Sequence, residues 1–287
     1  MKQEAAIAAD YSNIAGMVVR KDGETVYERY FGGCTAESRL NVFSVTKSII
    51  SILLGIALDR GCLGSIDQQV LEFFPEYTPK RGEKTIQRIT IRDMLTMTAP
   101  YKYRYAPLIG PDILTGILTR VTGQSVLDFA KEHLFAPLGI PVEQSITFRS
   151  KEELMAFYES TDLRVWAADP AGVNAGGWGL TLSPMDLAKL GQLYLDGGIW
   201  NGQRLVSERW VRESTAEQSR WAERDLPYGY LWWVLPQGHG FAAMGDGGNA
   251  LYVSPDKNLV AAITSRFQPR VKDRIELIRT YVAPCFD

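Results

Sequence analysis

The chain has only two histidines, His133 and His239, in 287 residues. They lie far apart and neither sits beside a serine motif, so a Ser-His-Asp triad is not the expected chemistry. His133 reads as a surface or core residue and His239 as a loop tip. Cysteine is almost as scarce. Cys34, Cys62 and Cys285 are odd in number and lack metal-ligand spacing, so we read them as reduced and structural. No apolar run is long enough to span a bilayer; the longest, Ile49 to Leu58, is interrupted by Ser51 and Gly55. Met1 to Asp10 holds no long apolar run, so no signal peptide is expected and a cytoplasmic location follows. Neither sign of charge dominates. Lys plus Arg number 31 and Asp plus Glu 33, a formal net charge of −2, which gives no footprint for nucleic acid or an anionic membrane. There is no P-loop, dinucleotide fingerprint or zinc spacing, and no cofactor is expected. Repeats, low-complexity tracts and flexible linkers are also missing.

What remains is an ordinary globular composition, 46% hydrophobic and 22% charged, with length for one large domain or two. The N-terminal segment reads as a hairpin. Gly16 to Arg20 and Glu24 to Phe31 are strand-like, and Lys21-Asp22-Gly23 turns between them. Helices follow. One spans Val45 to Leu58 and ends at Arg60-Gly61, and another starts near Ile89 with Thr90 as cap. Others run from Ile113 to Val121 and from Val126 to Phe135, the second capped by Ser125 and stopped by Pro137-Leu138-Gly139. Lys151 to Ser160 is a further helix. Ser183-Pro184 reads as an N-cap with Pro at the first helical position, opening a helix to Leu195. Ser207 opens one to Thr215. Strands then return at Tyr228 to Val234, Phe241 to Met244, Leu251 to Val253 and Asn258 to Thr264, and Arg270 to Val282 is a closing helix. Strands at both ends with helices between imply one antiparallel sheet built from both termini and a helical lobe inserted into it. The expected division is 1–43 with 196–287 for the sheet lobe and 44–195 for the helical lobe.

The chemistry centres on Asn41-Val42-Phe43-Ser44-Val45-Thr46-Lys47-Ser48. Ser44 stands where a helix would start, and Lys47 lies one turn up on the same face. A hydroxyl and an amine within one turn can share a hydrogen bond, and a neutral amine can take the hydroxyl proton as the oxygen attacks. The apolar run after Lys47 makes burial of the amine plausible. Burial and the positive helix end both disfavour the ammonium. The bland alternative is a Ser44 N-cap beside a solvated lysine. Bare S-x-x-K arises by chance, and a second copy, Ser254-Pro255-Asp256-Lys257, reads as a turn.

The order and spacing of several stretches decide between these. They are Val42-Phe43-Ser44-Val45-Thr46-Lys47-Ser48, Thr90 to Thr98, Val121-Thr122-Gly123, Leu134 to Ile140, Gly176-Gly177-Trp178-Gly179-Leu180 and Tyr228-Gly229-Tyr230-Leu231-Trp232-Trp233. Together they resemble the serine β-lactamase and penicillin-binding-protein superfamily in its class C β-lactamase-like branch, over nearly the whole chain. The resemblance implies an α/β (α+β) fold of the β-lactamase/transpeptidase type, with the site between the lobes. It implies acyl transfer, with Ser44 as nucleophile and Lys47 as base, on a small-molecule substrate.

The resemblance also implies a Tyr-x-Asn or Tyr-x-Ser motif whose tyrosine shares proton transfer with the lysine. Tyr105-Ala106-Pro107 stands nearest, with Tyr103 as fallback. Pro107 offers no side-chain donor, and the segment from Ala99 to Tyr105 is shorter than in the family. A third motif, Lys-Thr-Gly or His-Thr-Gly on the site strand, is expected at Asp246-Gly247-Gly248. Asn249 N–H then joins Ser44 N–H as the oxyanion donors. Gly247 and Gly248 let a substrate backbone approach. Asp246, in place of a cation, repels a drug carboxylate, so ester or amide turnover is expected to exceed that of β-lactams. Asp246 either receives a substrate amine or is a plain turn residue. The rival readings are a D-alanyl-D-alanine peptidase and a penicillin-binding-protein-like scaffold without turnover.

Overall fold

The two ends of the chain meet in one eight-stranded antiparallel sheet in this computed structural model, which describes residues 10–81, 83–99, 106–221, 225–236 and 239–286. β1 (Ile14–Lys21) and β2 (Glu24–Tyr30) form the N-terminal hairpin. Asp22 and Gly23 between them have φ of 53° and 82°, the two positive angles that a tight turn matching strand twist requires. The other strands are β3 (Ser219–Trp221), β4 (Leu226–Tyr228), β5 (Trp233–Val234), β6 (Phe241–Gly245), β7 (Asn249–Ser254) and β8 (Leu259–Ser265). The order is β2-β1-β8-β7-β6-β5-β4-β3. N-terminal β1 therefore pairs with C-terminal β8, with Met17 opposite Ile263 and Val18 opposite Ala262.

Alternation along these strands feeds two cores. Val18, Leu251, Val253, Val260 and Ala262 face the large core shared with the helices. Met17, Val19, Tyr252, Ala261 and Ile263 face the other way, onto Ile275, Leu277, Ile278 and Val282 of the closing helix. That helix starts at Arg274, capped by Asp273, and widens to a π turn over Ile278–Val282.

In the middle of the chain, α1 (Val45–Asp59) is buried on nearly every side, from Val45 to Ala57, as its unbroken apolar character demands. α2 (Ile91–Leu95) is capped by Thr90, whose hydroxyl accepts from Asp93 N–H. α3 (Ala106–Thr122) begins well before the expected Ile113 and carries Pro111 inside it. α4 (Val126–Ala130) passes through a π turn at Lys131–Phe135 to Leu138, where Gly139 turns left-handed with φ of 62°. α5 (Lys151–Glu159), α6 (Pro184–Leu195) and α7 (Glu208–Ser214) are capped by Ser150, Ser183 and Ser207. No helix among the described residues is long and apolar enough to cross a membrane. The three cysteines form no disulfide with one another, and Cys34 is buried.

Two features differ from expectation. α6 packs across β1, β7 and β8, although the expected boundary at 195 places it with the helical segment. Gly191 permits this approach, since a Cβ there would lie 2.7 Å from Leu251 Cδ1 and 2.6 Å from Val260 Cγ1. Tyr228 to Val234 is not one strand. The chain reverses between β4 and β5, Gly229 N–H donating to Trp232 O at 2.8 Å, with Leu231 at φ of 60°. Tertiary bonds override the local strand preference: Tyr230 N–H donates to Ser214 O and Leu231 N–H to Leu95 O, both at 2.9 Å.

The seat of α1 rests on one glycine. A Cβ on Gly55 would lie 2.5 Å from Trp210 Cγ, and the indole cannot move because its Nε1 donates to Ser51 O at 3.0 Å. Gly55→Ala is expected to destabilise the protein by about 3 kcal/mol, the upper end for overpacking a rigid core. Chemical denaturation checks this, and a loss under about 0.5 kcal/mol would contradict the packing described.

Candidate active site

The chain entering α1 is fixed by Asn41. Its Oδ1 accepts from Phe43 N–H at 3.0 Å and from Gly179 N–H at 3.1 Å. Phe43 is held at φ of 48°, a left-handed angle that an aromatic residue adopts only under such constraint. This sharp turn delivers Ser44 to the N-cap position with φ of −65° and ψ of −7°. The hydroxyl makes no capping bond. Instead Lys47 Nζ donates to Ser44 Oγ at 3.1 Å. The N-cap alternative for Ser44 is thereby removed, and the pair has the separation proton transfer needs.

Burial holds the Lys47 amine below the usual lysine range, against the opposing pull of Asp246 and Asp112. Asp112, on α3, accepts from Gly176 N–H at 2.8 Å. Desolvation of its carboxyl pushes Asp112 up, against the lowering effect of the Gly176 and Gly177 N–H groups and of Lys47. Ser48, one residue past the lysine, donates to Leu231 O at 2.6 Å and ties the β4–β5 reversal to α1.

A cleft of about 570 Å³ opens at this pair. Ser44, Lys47 and Thr96 line its floor, and Trp221, Tyr228, Trp233, Met97 and Met244 its largely apolar walls. Trp232 is fully buried, whereas its neighbour Trp233 lines the opening. A second hollow of about 500 Å³, beside Tyr30 and Lys189, is built around the Arg39–Asp186 ion pair at 3.3 Å. Its one serine, Ser183, is spent capping α6.

The glycine that meets the nucleophile is Gly245, not Gly247 or Gly248. A Cβ on Gly245 would run into the Val42 carbonyl oxygen and lie 3.2 Å from Ser44 N. β6 ends there, and Gly247 and Gly248, at φ of 75° and 89°, turn the chain away from the cleft. Their Cα atoms face Phe267 and the Arg274 guanidinium instead. Asn249 does not line the cleft and is 1% exposed. Its Nδ2 donates to Asp246 O at 2.8 Å and its Oδ1 accepts from Ser265 N–H at 3.0 Å, so it braces the turn from behind. The expected placement of the third motif is thus three residues late. Gly245, the last residue of Ala243-Met244-Gly245, lies against Ser44, and Asp246, the residue after it, borders the cleft. Ala243 is buried, so no cation occupies the first place of the triplet.

Tyr105 and the fallback Tyr103 lie outside the described residues. His133, whose imidazole burial holds below the usual range, packs edge-on against Phe129 at 4.6 Å between ring centroids and does not line the cleft. Gly245, Asp112 and the cleft wall of Trp221 and Met97 were not legible as site residues. The only signal for Asp112 is an acid at the head of an apolar helix.

Sheet, inserted helices and Ser–Lys pair together define a β-lactamase/transpeptidase-like fold. The sequence model of the family described as Beta-lactamase matches residues 5–283, and the chain belongs to that family, a family of hydrolases. A 6-aminohexanoate-dimer hydrolase of Paenarthrobacter ureafaciens is 22% identical over 83% of this chain and 69% of its own. Among solved structures, a family VIII carboxylesterase superposes with a TM-score of 0.72 at 17% identity, covering 100% of this chain and 97% of that one. A class C beta-lactamase superposes with a TM-score of 0.70 at 16% identity, over 98% and 93%.

Proposed function

We propose that the protein is a serine hydrolase that opens small esters, amides or peptides through an acyl-enzyme on Ser44. The observation that carries this is the 3.1 Å contact between Ser44 Oγ and a Lys47 amine that burial holds below its usual range. Neutral Lys47 accepts the hydroxyl proton as Oγ bonds to the carbonyl carbon. The carbonyl π pair moves to oxygen, and the oxyanion needs N–H donors. Ser44 N–H has no hydrogen-bond acceptor among the described residues, and the Asp246 N–H, next to Gly245, is the second donor in this reading. The protonated lysine returns its proton to the leaving group, the acyl-enzyme forms, and water repeats the sequence in reverse order. Apolar cleft walls and a buried Ala243 in place of a cation favour uncharged ester or amide groups over the carboxylate of a β-lactam drug.

A fluorophosphonate probe tests this reading. The adduct is expected on the peptide containing Ser44, located by mass spectrometry. p-Nitrophenyl butyrate is expected to turn over faster than nitrocefin. A folded protein that takes no adduct, or takes it elsewhere, contradicts the proposal.

A further inference from the structure

Among the described residues, three charged side chains line the cleft: Lys47, Arg220 and Asp246. Arg220 is committed to Glu217 and Asp225, at 2.8 and 2.9 Å. Lys47 is committed to Ser44. The Asp246 carboxylate is exposed and makes no hydrogen bond or ion pair among the described residues. Its position beside the nucleophile is unfavourable for the empty enzyme, because its field opposes the burial that lowers the Lys47 pKa.

Aromatic side chains lie near the turn that bears Asp246. Phe267 Cα lies 3.1 Å from the place a Cβ on Gly247 would take, so this residue sits directly under the turn that bears Asp246. Phe267 is 44% exposed. The Phe43 ring stands 5.2 Å from those of both Phe267 and Tyr158, and burial, with a smaller contribution from Asp246, pushes the Tyr158 hydroxyl pKa up. An exposed carboxylate attracts an ammonium group through its charge, and an aromatic face nearby adds a weaker attraction.

We infer that this cleft selects acyl substrates carrying a positive charge within a few atoms of the scissile carbonyl, and that Asp246 binds that charge. The inference rests on Ser44 being the nucleophile and names the substrate class of that same site. It also resolves the cost of the unpaired acid. An ammonium paired with Asp246 cancels the pull of that carboxylate on Lys47, and its own field favours the neutral amine. Binding of the right substrate thus readies the base.

Two isosteric pairs at pH 7 test this. Butyrylcholine and 3,3-dimethylbutyl butyrate differ in charge on the leaving-group side. Alanine p-nitroanilide and isobutyric acid p-nitroanilide differ on the acyl side. Wild type is expected to favour the charged member of at least one pair by about tenfold or more in kcat/KM. In Asp246→Asn that ratio is expected to fall to about one. The ratio is taken within one variant, so a general change in Lys47 reactivity affects both members. A preference that survives in Asp246→Asn, or a preference for the neutral member in both pairs, overturns the inference. Choline binding, followed by the fluorescence of Trp221 and Trp233, needs no turnover. Choline binding that is lost in Asp246→Asn, with no fluorophosphonate adduct, retires the hydrolase reading and keeps the cation site. Labelling on Ser44 without charge preference or choline binding retires the cation site alone.

Discussion

Lys47→Ala is expected to lower kcat/KM for p-nitrophenyl butyrate by about 10³-fold, and Ser44→Ala by at least as much. The two groups act as a unit, so the double variant should be scarcely worse than either single one. Lys47→Arg should not restore activity, because a guanidinium does not give up its proton. The same pair sets the pH dependence. Only the neutral amine is a base, so kcat/KM rises with pH through the Lys47 pKa and levels off above it. Burial lowers that pKa, whereas Asp246 and Asp112 raise it. Removing a negative charge beside the amine therefore moves the acid limb to lower pH. Asp112→Asn is the cleaner change, since its amide oxygen can still accept from Gly176 N–H as Asp112 Oδ1 does at 2.8 Å. Profiles of kcat/KM against pH check both points. A Lys47→Ala enzyme keeping more than a tenth of wild-type activity, or an acid limb unmoved in Asp112→Asn, would remove the lysine from its assigned role.

Local signals made much of the fold legible. Thr90, Ser125, Ser183 and Ser207 each cap a helix, because a short polar side chain before an apolar run has one favourable use. Asp22-Gly23 closes the hairpin for a similar local reason. Ser44 and Lys47 were legible because their pairing is set by one helical turn. Where placement depends on distant residues, local signals fail. The aromatic run from Tyr228 to Trp233 has strong strand preference, yet bonds to Ser48, Leu95 and Ser214 fold it back on itself. The amphipathic pattern of α6 shows that one face is buried but cannot say that the cover is β8. Gly245, Gly247 and Gly248 are equivalent to any argument from composition. Only the approach of Val42 and Ser44 singles out the first.

That distinction predicts unequal effects for three otherwise similar substitutions. In Gly245→Ala the new methyl meets the Val42 carbonyl and the N atoms of Ser44 and Val45, the last two at 3.2 Å. All three are backbone atoms at the entry to α1, so none can rotate aside. Either the end of β6 or the turn at Phe43 must shift by about 1 Å, which parts the oxyanion donors from the nucleophile. A shift of that size costs about 10²-fold in kcat. Gly247→Ala and Gly248→Ala strain the chain differently, through φ of 75° and 89°, and Gly248→Ala also presses on the Arg274 guanidinium. Each of these should cost about 1–3 kcal/mol of stability, with a smaller change in kcat for the folded fraction. Thermal melts alongside steady-state kinetics separate the two patterns. If Gly245→Ala keeps wild-type kcat while Gly248→Ala loses it, the substrate lies along residues 246–249 and the strand register at the nucleophile must be moved back to them.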